Sequence, residues 1–306
     1  MRNKCIVIVA IALLSLQFAI AGVGESGFSF LKLGISGQAV AMSDATSAHV
    51  SGAAATFYNP AGLVQAEHPD DGTQLLFMHK EWIQDARTQF LGVRSSLGDE
   101  SAFGISLNNT TVSEIEIRRR PGAAEGTFTA RNFSLGVSYA QMFGENISGG
   151  VTAKFLYEKL LVDEASGFAF DIGTQIVTPI EGLAVGATIA NIGSVSKLRT
   201  ESSTLPTYAR VGPAYHMEIP DISSAVLIAA DLIHIFPDGV SLVGVGGEIS
   251  FQQMIAVRTG YQLGSEARGF SAGVGVTYGM FTLDYAFAPL SNDLGSTHTI
   301  ALSLNL

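Results

Sequence analysis

The sequence predicts an all-β fold, a transmembrane antiparallel β-barrel of about fourteen strands with an N-terminal hatch or plug segment. Three observations carry this expectation. The chain of 306 residues is 47% hydrophobic and only 14% charged, against about a quarter charged in ordinary soluble domains. After residue 21 no apolar run is long enough for a spanning helix. Apolar residues instead recur at alternate positions, the spacing that gives a strand one apolar face. An exported chain this apolar satisfies its backbone in lipid only if its sheet closes on itself.

Residues 1–21 read as a secretory signal peptide. Arg2 and Lys4 form a basic start, an apolar run from Cys5 to Ala21 is broken only by Ser15 and Gln17, and Ala19-Ile20-Ala21 is a small-x-small cleavage pattern. The competing reading, a membrane anchor, is disfavoured by the short run. The expected destination is the outer membrane of a Gram-negative-type bacterium. The sole cysteine, Cys5, lies in the removed segment, so a disulfide-stapled fold is excluded. The formal net charge of −10 argues against a nucleic-acid partner, which needs basic surface.

Residues 27–63 do not alternate, and 22–70 are read as the hatch segment. Phe28 to Gly34 is followed by Ser36 to Ala45 and an Ala/Gly/Ser-rich piece, and the middle of the segment could make a short helix. Phe57-Tyr58-Asn59-Pro60-Ala61-Gly62-Leu63 ends in a turn, because a residue before proline avoids the helical region and Gly62 tolerates positive φ. Nearly forty residues of compact non-strand chain suit a plug in the lumen. A periplasmic tether is the alternative.

Residues 71–306 are read as the barrel. Phe270, Ala272, Val274, Val276 and Tyr278 alternate with Ser271, Gly273, Gly275 and Thr277, and Ile300, Leu302, Leu304 and Leu306 alternate with small or polar residues to the last position. The second face carries Gly, Ala, Ser and Thr, not the Lys and Glu of a solvated sandwich, which favours a barrel interior. Aromatics near the ends of the apolar faces, Tyr157, Phe168, Tyr261, Phe270, Tyr278 and Phe287, suit interfacial girdles. Turn signals place strands near 73–82, 86–98, 101–118, 127–143, 147–160, 166–178, 182–192, 205–217, 223–235, 240–251, 254–264, 268–278, 280–288 and 296–306. The longer connections are 118–127, 160–166, 193–205 and 289–296. Arg118-Arg119-Arg120 reads as a solvated loop base near anionic headgroups, with a substrate clamp as the minority reading.

The same alternation points Lys154, Glu158, Asp171, Arg258 and Asp284 into the lumen, since facing lipid would cost each several kcal/mol (about 2–4). They read as structural pairs, or as a polar track for a ligand. Glu248 and Arg94 lie on strands that alternate less cleanly. No catalytic motif, phosphate loop or metal-ligand spacing is found, so no enzyme, cofactor or metal is expected. His298, near Ser296, reads as an interfacial strand-end histidine, with a wall-mounted lipid hydrolase as the minor alternative.

FLKLGISGQAVAMSDA followed by FYNPAGL resembles the N-terminal signature of PorV/PorQ-type proteins, within the FadL-like superfamily of outer-membrane barrels. The matching positions are Gly34, Gly37, Tyr58, Asn59, Pro60, Ala61 and Gly62. Ser43 stands where the family often has Gly, and Leu306 stands where many such proteins end in an aromatic residue. The resemblance implies a fourteen-stranded barrel with an N-terminal hatch and one of two roles. The first is binding or conveying secreted proteins, or secretion-machinery subunits, in a type IX-like system. The alternative is a hatch-gated transporter of hydrophobic small ligands. The short chain favours the first. A monomeric barrel with outer-membrane lipid as its surroundings is expected in either case.

Overall fold

The computed structural model describes residues 26–65, 72–83, 85–199 and 203–306. The expected signal peptide and residues 22–25 and 66–70 of the expected hatch segment lie outside them. Fourteen antiparallel strands close into one barrel. They are β1 (Thr73–Glu81), β2 (Ala86–Ser96), β3 (Ser101–Ile117), β4 (Gly126–Met142), β5 (Ile147–Leu160), β6 (Asp163–Val177) and β7 (Leu183–Val195). Then come β8 (Tyr208–Ile219), β9 (Ser224–Ile235), β10 (Val240–Phe251), β11 (Ile255–Leu263), β12 (Phe270–Tyr278), β13 (Phe281–Pro289) and β14 (Ser296–Asn305). Every strand is bonded to its sequence neighbours, and β14 closes the ring on β1 from Gln74↔Asn305 to Glu81↔His298. Leu306 completes the seam by exchanging backbone bonds with Thr73. No unpaired edge is left for lipid to meet.

The faces divide as the alternation requires. Phe168 is 63% exposed on the outside while its neighbour Ala169 is fully buried. Three boundaries differ from the expected ones by three residues. β6 starts at Asp163 because its first residues pair with β5, Leu160 opposite Asp163, and β7 continues to Val195 by pairing with β6 above a bulge, with Gly167 opposite Val195 and the register shifting between Phe170 and Ile172. That bulge breaks the alternation that would have marked the extension. β8 starts later, at Tyr208, after Pro206, which cannot donate to a ladder.

The connections β2–β3, β4–β5, β6–β7, β8–β9, β10–β11 and β12–β13 are short and lie at the end where β1 begins and Leu306 lies. This is the turn end. The opposite, loop end carries the β3–β4 connection, 118–125, and the β7–β8 connection, 196–207.

Residues 26–65 fill the lumen. They hold two short helices, α1 (Gly37–Ala41) and α2 (Ala55–Tyr58), joined by 3-10 turns. The Ser36 hydroxyl caps α1, and the Asn59 side chain accepts the Ala61 N–H at the turn into Pro60. Phe28, Ile35, Met42, Tyr58 and Leu63 are almost fully buried, each stabilising the packed segment by about 1.5–3 kcal/mol. The wall admits this segment through its glycines. A Cβ on Gly150 would lie within 2.6 Å of the Ala61 nitrogen, and one on Gly260 within 2.6 Å of the Met42 carbonyl carbon. Gly173, Gly186 and Gly244 meet Asn59, Ser47 and Ser43 as closely. Much of the glycine content is therefore the wall's close approach to the lumenal chain.

Candidate functional site

The lumenal chain begins at the loop end and finishes at the turn end. At the loop end Ser26 bridges to Thr204. The Asp238 carboxylate in the β9–β10 loop accepts bonds from the Ser26 N–H at 2.9 Å, the Ser26 hydroxyl at 3.0 Å and Lys32 Nζ at 3.0 Å. Burial alone would raise the Asp238 pKa, but these donors outweigh it and hold the carboxyl below its ordinary range.

Below this clasp a cavity of about 240 Å³ opens between the segment and the wall. Its lining is mainly apolar and aromatic, including Leu31, Val40, Phe57, Trp82, Ile233 and Leu290. Its charged part is one carboxylate, Asp44, beside Lys80, Arg210 and Arg268, with Lys32 of the clasp at its edge. Arg268 donates to Asp44 Oδ2 and to the Val40 carbonyl, and the Tyr58 hydroxyl donates to Asp44 Oδ1 at 3.0 Å. The same hydroxyl accepts the Ile35 N–H at 2.9 Å. Lys80 donates to the Gly34 carbonyl at 2.7 Å. Arg210 donates to the Asp44 carbonyl and to the Thr46 hydroxyl, and its guanidinium lies over the rings of Tyr58 and Tyr208. Asp231 beside it accepts the N–H groups of Thr46 and Ser47 at 2.8 and 3.0 Å.

The resemblance positions acquire physical roles here. A Cβ on Gly34 would strike the Asp44 carboxylate and the Tyr58 hydroxyl, and one on Gly37 would lie 2.6 Å from Asp284 Cβ. Asn59 donates to the carbonyls of Ser47 at 2.8 Å and Thr174 at 3.1 Å, tying the turn to β6. Pro60 and Ala61 press against Gly150, and Gly62 against the Val50 carbonyl. Ser43 has φ 56° and Asp44 φ 57°, the left-handed region where glycine is the undemanding choice. Ser43 accepts that conformation with its hydroxyl 3.0 Å from that of Ser271.

Four of the five charges read as lumenal meet partners there. Lys154 pairs with Asp171 at 2.6 Å and donates to Asn191 at 2.9 Å. Arg258 lies between Glu248 and Asp284, and Gln38 of α1 donates to Glu248 at 3.0 Å. Glu158 is half-buried and forms no ion pair among the described residues. Arg94 donates to the Leu63 carbonyl at 2.8 Å. The Arg258 group borders a second cavity, of about 410 Å³, at the turn end, with Gln74, His49 and His216. The lumenal chain separates the two cavities. The cluster around Asp44 was not read from the sequence. Arg210 and Asp231 follow the same inward alternation that singled out Lys154 and could have been found by it. Lys80 shares its inward face with apolar Leu76 and Met78, and Arg268 lies in a loop, so neither carried a signal.

On the outer wall His298 Nδ1 lies 2.7 Å from the Tyr285 hydroxyl and Nε2 lies 3.2 Å from the Ser296 hydroxyl, with the Phe287 ring alongside. This is an aromatic, hydrogen-bonded strand end of the kind found at a membrane interface. Arg118 pairs with Glu116 and Arg119 with Glu125 at 3.7 Å, both exposed on the β3–β4 hairpin.

No protein-family model and no curated protein sequence matches the chain. Solved structures do. The CymD monoaromatic hydrocarbon channel superposes with a TM-score of 0.59 at 13% identity, over 89% of this chain and 96% of that one. The P. putida toluene transporter TodX superposes at 0.57 and 11%, over 94% and 99%. A Pseudomonas aeruginosa FadL homologue superposes at 0.57 and 10%, over 92% and 100%. The chain shares its barrel fold with these three proteins.

Proposed function

We propose that this barrel is a hatch-gated passage for small hydrophobic molecules, with the cavity above the lumenal segment as the receiving site. The observation that carries the reading is an apolar, aromatic cavity whose floor is the lumenal chain itself, through Val40, Phe57 and Tyr58. A cavity of about 150 Å³ suffices for benzene, so 240 Å³ accommodates a single-ring hydrocarbon. CymD and TodX, which share the fold, are described as a monoaromatic hydrocarbon channel and a toluene transporter. The loop end faces outward in this reading, because short turns and both barrel ends belong on the periplasmic side. The expectation of secreted-protein conveyance gives way to the small-molecule alternative. The apolar lumen pocket that distinguishes the transporter is present, and the shared fold is that of hydrocarbon channels.

Passage requires the floor to move, or the molecule to leave sideways. A groove of about 370 Å³ lined by Ile172, Ile189, Val211 and Leu232 crosses β6 to β9. The β8–β9 ladder there leaves Gly212 and Pro213 unpaired, which makes this stretch of wall the one to test for sideways exit.

Trp82 is the chain's single tryptophan and lines the cavity. Toluene titrated into the purified barrel is expected to change Trp82 emission saturably, and Ala267→Phe, which fills the cavity, is expected to abolish the change. A response that is linear in toluene, or unchanged in Ala267→Phe, would refute the site. A secreted protein co-purifying with a barrel whose Trp82 ignores toluene would restore the secretion reading.

A further inference from the structure

The exposed charges are sorted by end. Among the described residues the turn end exposes Asp99, Glu100, Glu145, Glu181, Glu218 and Asp221 and no lysine or arginine. The exposed cations gather at the loop end, and three of them form a line on the outer wall. Arg87 of β2 is opposite Thr111 of β3, Thr111 is opposite Arg131 of β4, and Arg131 is opposite Lys159 of β5. All four belong to the outward rows of their strands, one strand apart, about 4.8 Å per step.

The height of this line is set by the band beneath it. On β5 the outward row runs from Ile147 through Val151 and Phe155 to Tyr157. That is about 33 Å along the strand, or about 25 Å along the membrane normal at a tilt near 40°. Tyr157 pairs with Phe133 across the ladder, and the next outward residues are Lys159 and Arg131. The cations thus stand directly above an aromatic pair that ends the apolar band, at headgroup level.

The line is not neutralised by the protein. Like charges opposite one another across a ladder destabilise it, yet Arg131 faces Lys159. Lys159 is paired with Glu164 at 2.6 Å. Glu81, opposite Arg87 in the ladder, lies 3.8 Å from His79 instead. Among the described residues no ion pair holds Arg87 or Arg131. Three cations against Glu164 and Glu81 leave a charge of +1. A phosphomonoester carries about −1.5 to −2 near pH 7, and guanidinium groups bind phosphate oxygens in pairs.

We propose that Arg87, Arg131 and Lys159 form a docking row for the phosphomonoester head group of a lipid in the leaflet around the loop end. The lipid's acyl chains lie along the apolar band below Phe133 and Tyr157, and its phosphate spans Arg131 and Arg87 over Thr111.

The test uses the full barrel in phosphatidylcholine nanodiscs containing either bisphosphorylated lipid A or phosphatidylglycerol, with retained lipid read by native mass spectrometry. Lipid A is expected to be retained in preference to phosphatidylglycerol. Arg131→Gln with Lys159→Gln is expected to weaken that retention about thirtyfold, which is about 2 kcal/mol. Lys197→Gln with Arg199→Gln, exposed cations of the β7–β8 loop, should leave it unchanged. All the substituted side chains are at least partly exposed, and unchanged β-sheet circular dichroism shows that each variant is folded. Equal retention of the two lipids, or undiminished lipid A in the Arg131/Lys159 variant, overturns the proposal.

Discussion

Replacing Asp44 by Asn tests whether the lumenal chain is held as a gate. The substitution keeps the shape of the side chain and a partner for the Tyr58 hydroxyl, and removes only the charge. In the native barrel that charge faces Arg268 directly, with Lys80 and Arg210 lining the same cavity. Removing one member of a buried ion pair costs about 3–5 kcal/mol, because the partner is left buried and uncompensated. Arg268 is 18% exposed and borders a cavity, so the lower end, about 3 kcal/mol, applies. The strands keep their ladders whether or not the segment is docked, so the cost falls on docking. At about 1.4 kcal/mol per tenfold, the undocked population rises about a hundredfold. Release of a small polar solute from liposomes containing Asp44→Asn barrels should rise accordingly, with the β-sheet circular dichroism unchanged. Release within threefold of the native barrel, from a folded variant, would refute the view that this ion cluster holds the gate.

Two further outcomes follow from the docking contacts. Gly150→Ala should weaken docking by about 1–3 kcal/mol, the usual cost of overpacking, because its Cβ would meet the backbone of Pro60 and Ala61. Alanine suits a strand better than glycine, so barrel melting should not fall while protease access to residues 26–65 rises; unchanged access would argue against close docking. The Asp238 clasp should depend on pH in one direction only. Its folded pKa lies below the ordinary value, so its contribution is complete above about pH 3.9 and is lost as pH falls through the lower folded value. Mobility of a spin label at Ser29 should be constant from pH 7 to 5 and increase only in stronger acid, and Asp238→Asn should show the mobile signal at pH 7. A transition near pH 6 would contradict this assignment.

The sequence by itself determined the barrel. Strands such as β12 and β14 alternate without interruption, and the period of two follows from strand geometry alone, whatever the strand later packs against. It also determined that Lys154, Asp171, Arg258 and Asp284 face inward, because lipid forbids the other face. Legibility ended where that period was broken or absent. Asp171 and Asn191 lie in a bulge, which hid the upper end of β7. Residues 26–65 have no strand period, so their composition showed a compact piece but not its course. Only the tertiary structure decided which lumenal charges meet, that Asp44 lies among Lys80, Arg210 and Arg268, and that Tyr58 joins Ile35 to Asp44. Those partners are separated by up to 224 positions. Closing the ring and threading the segment through it brings them together, and that juxtaposition is a property of the closed barrel that no local stretch of sequence encodes.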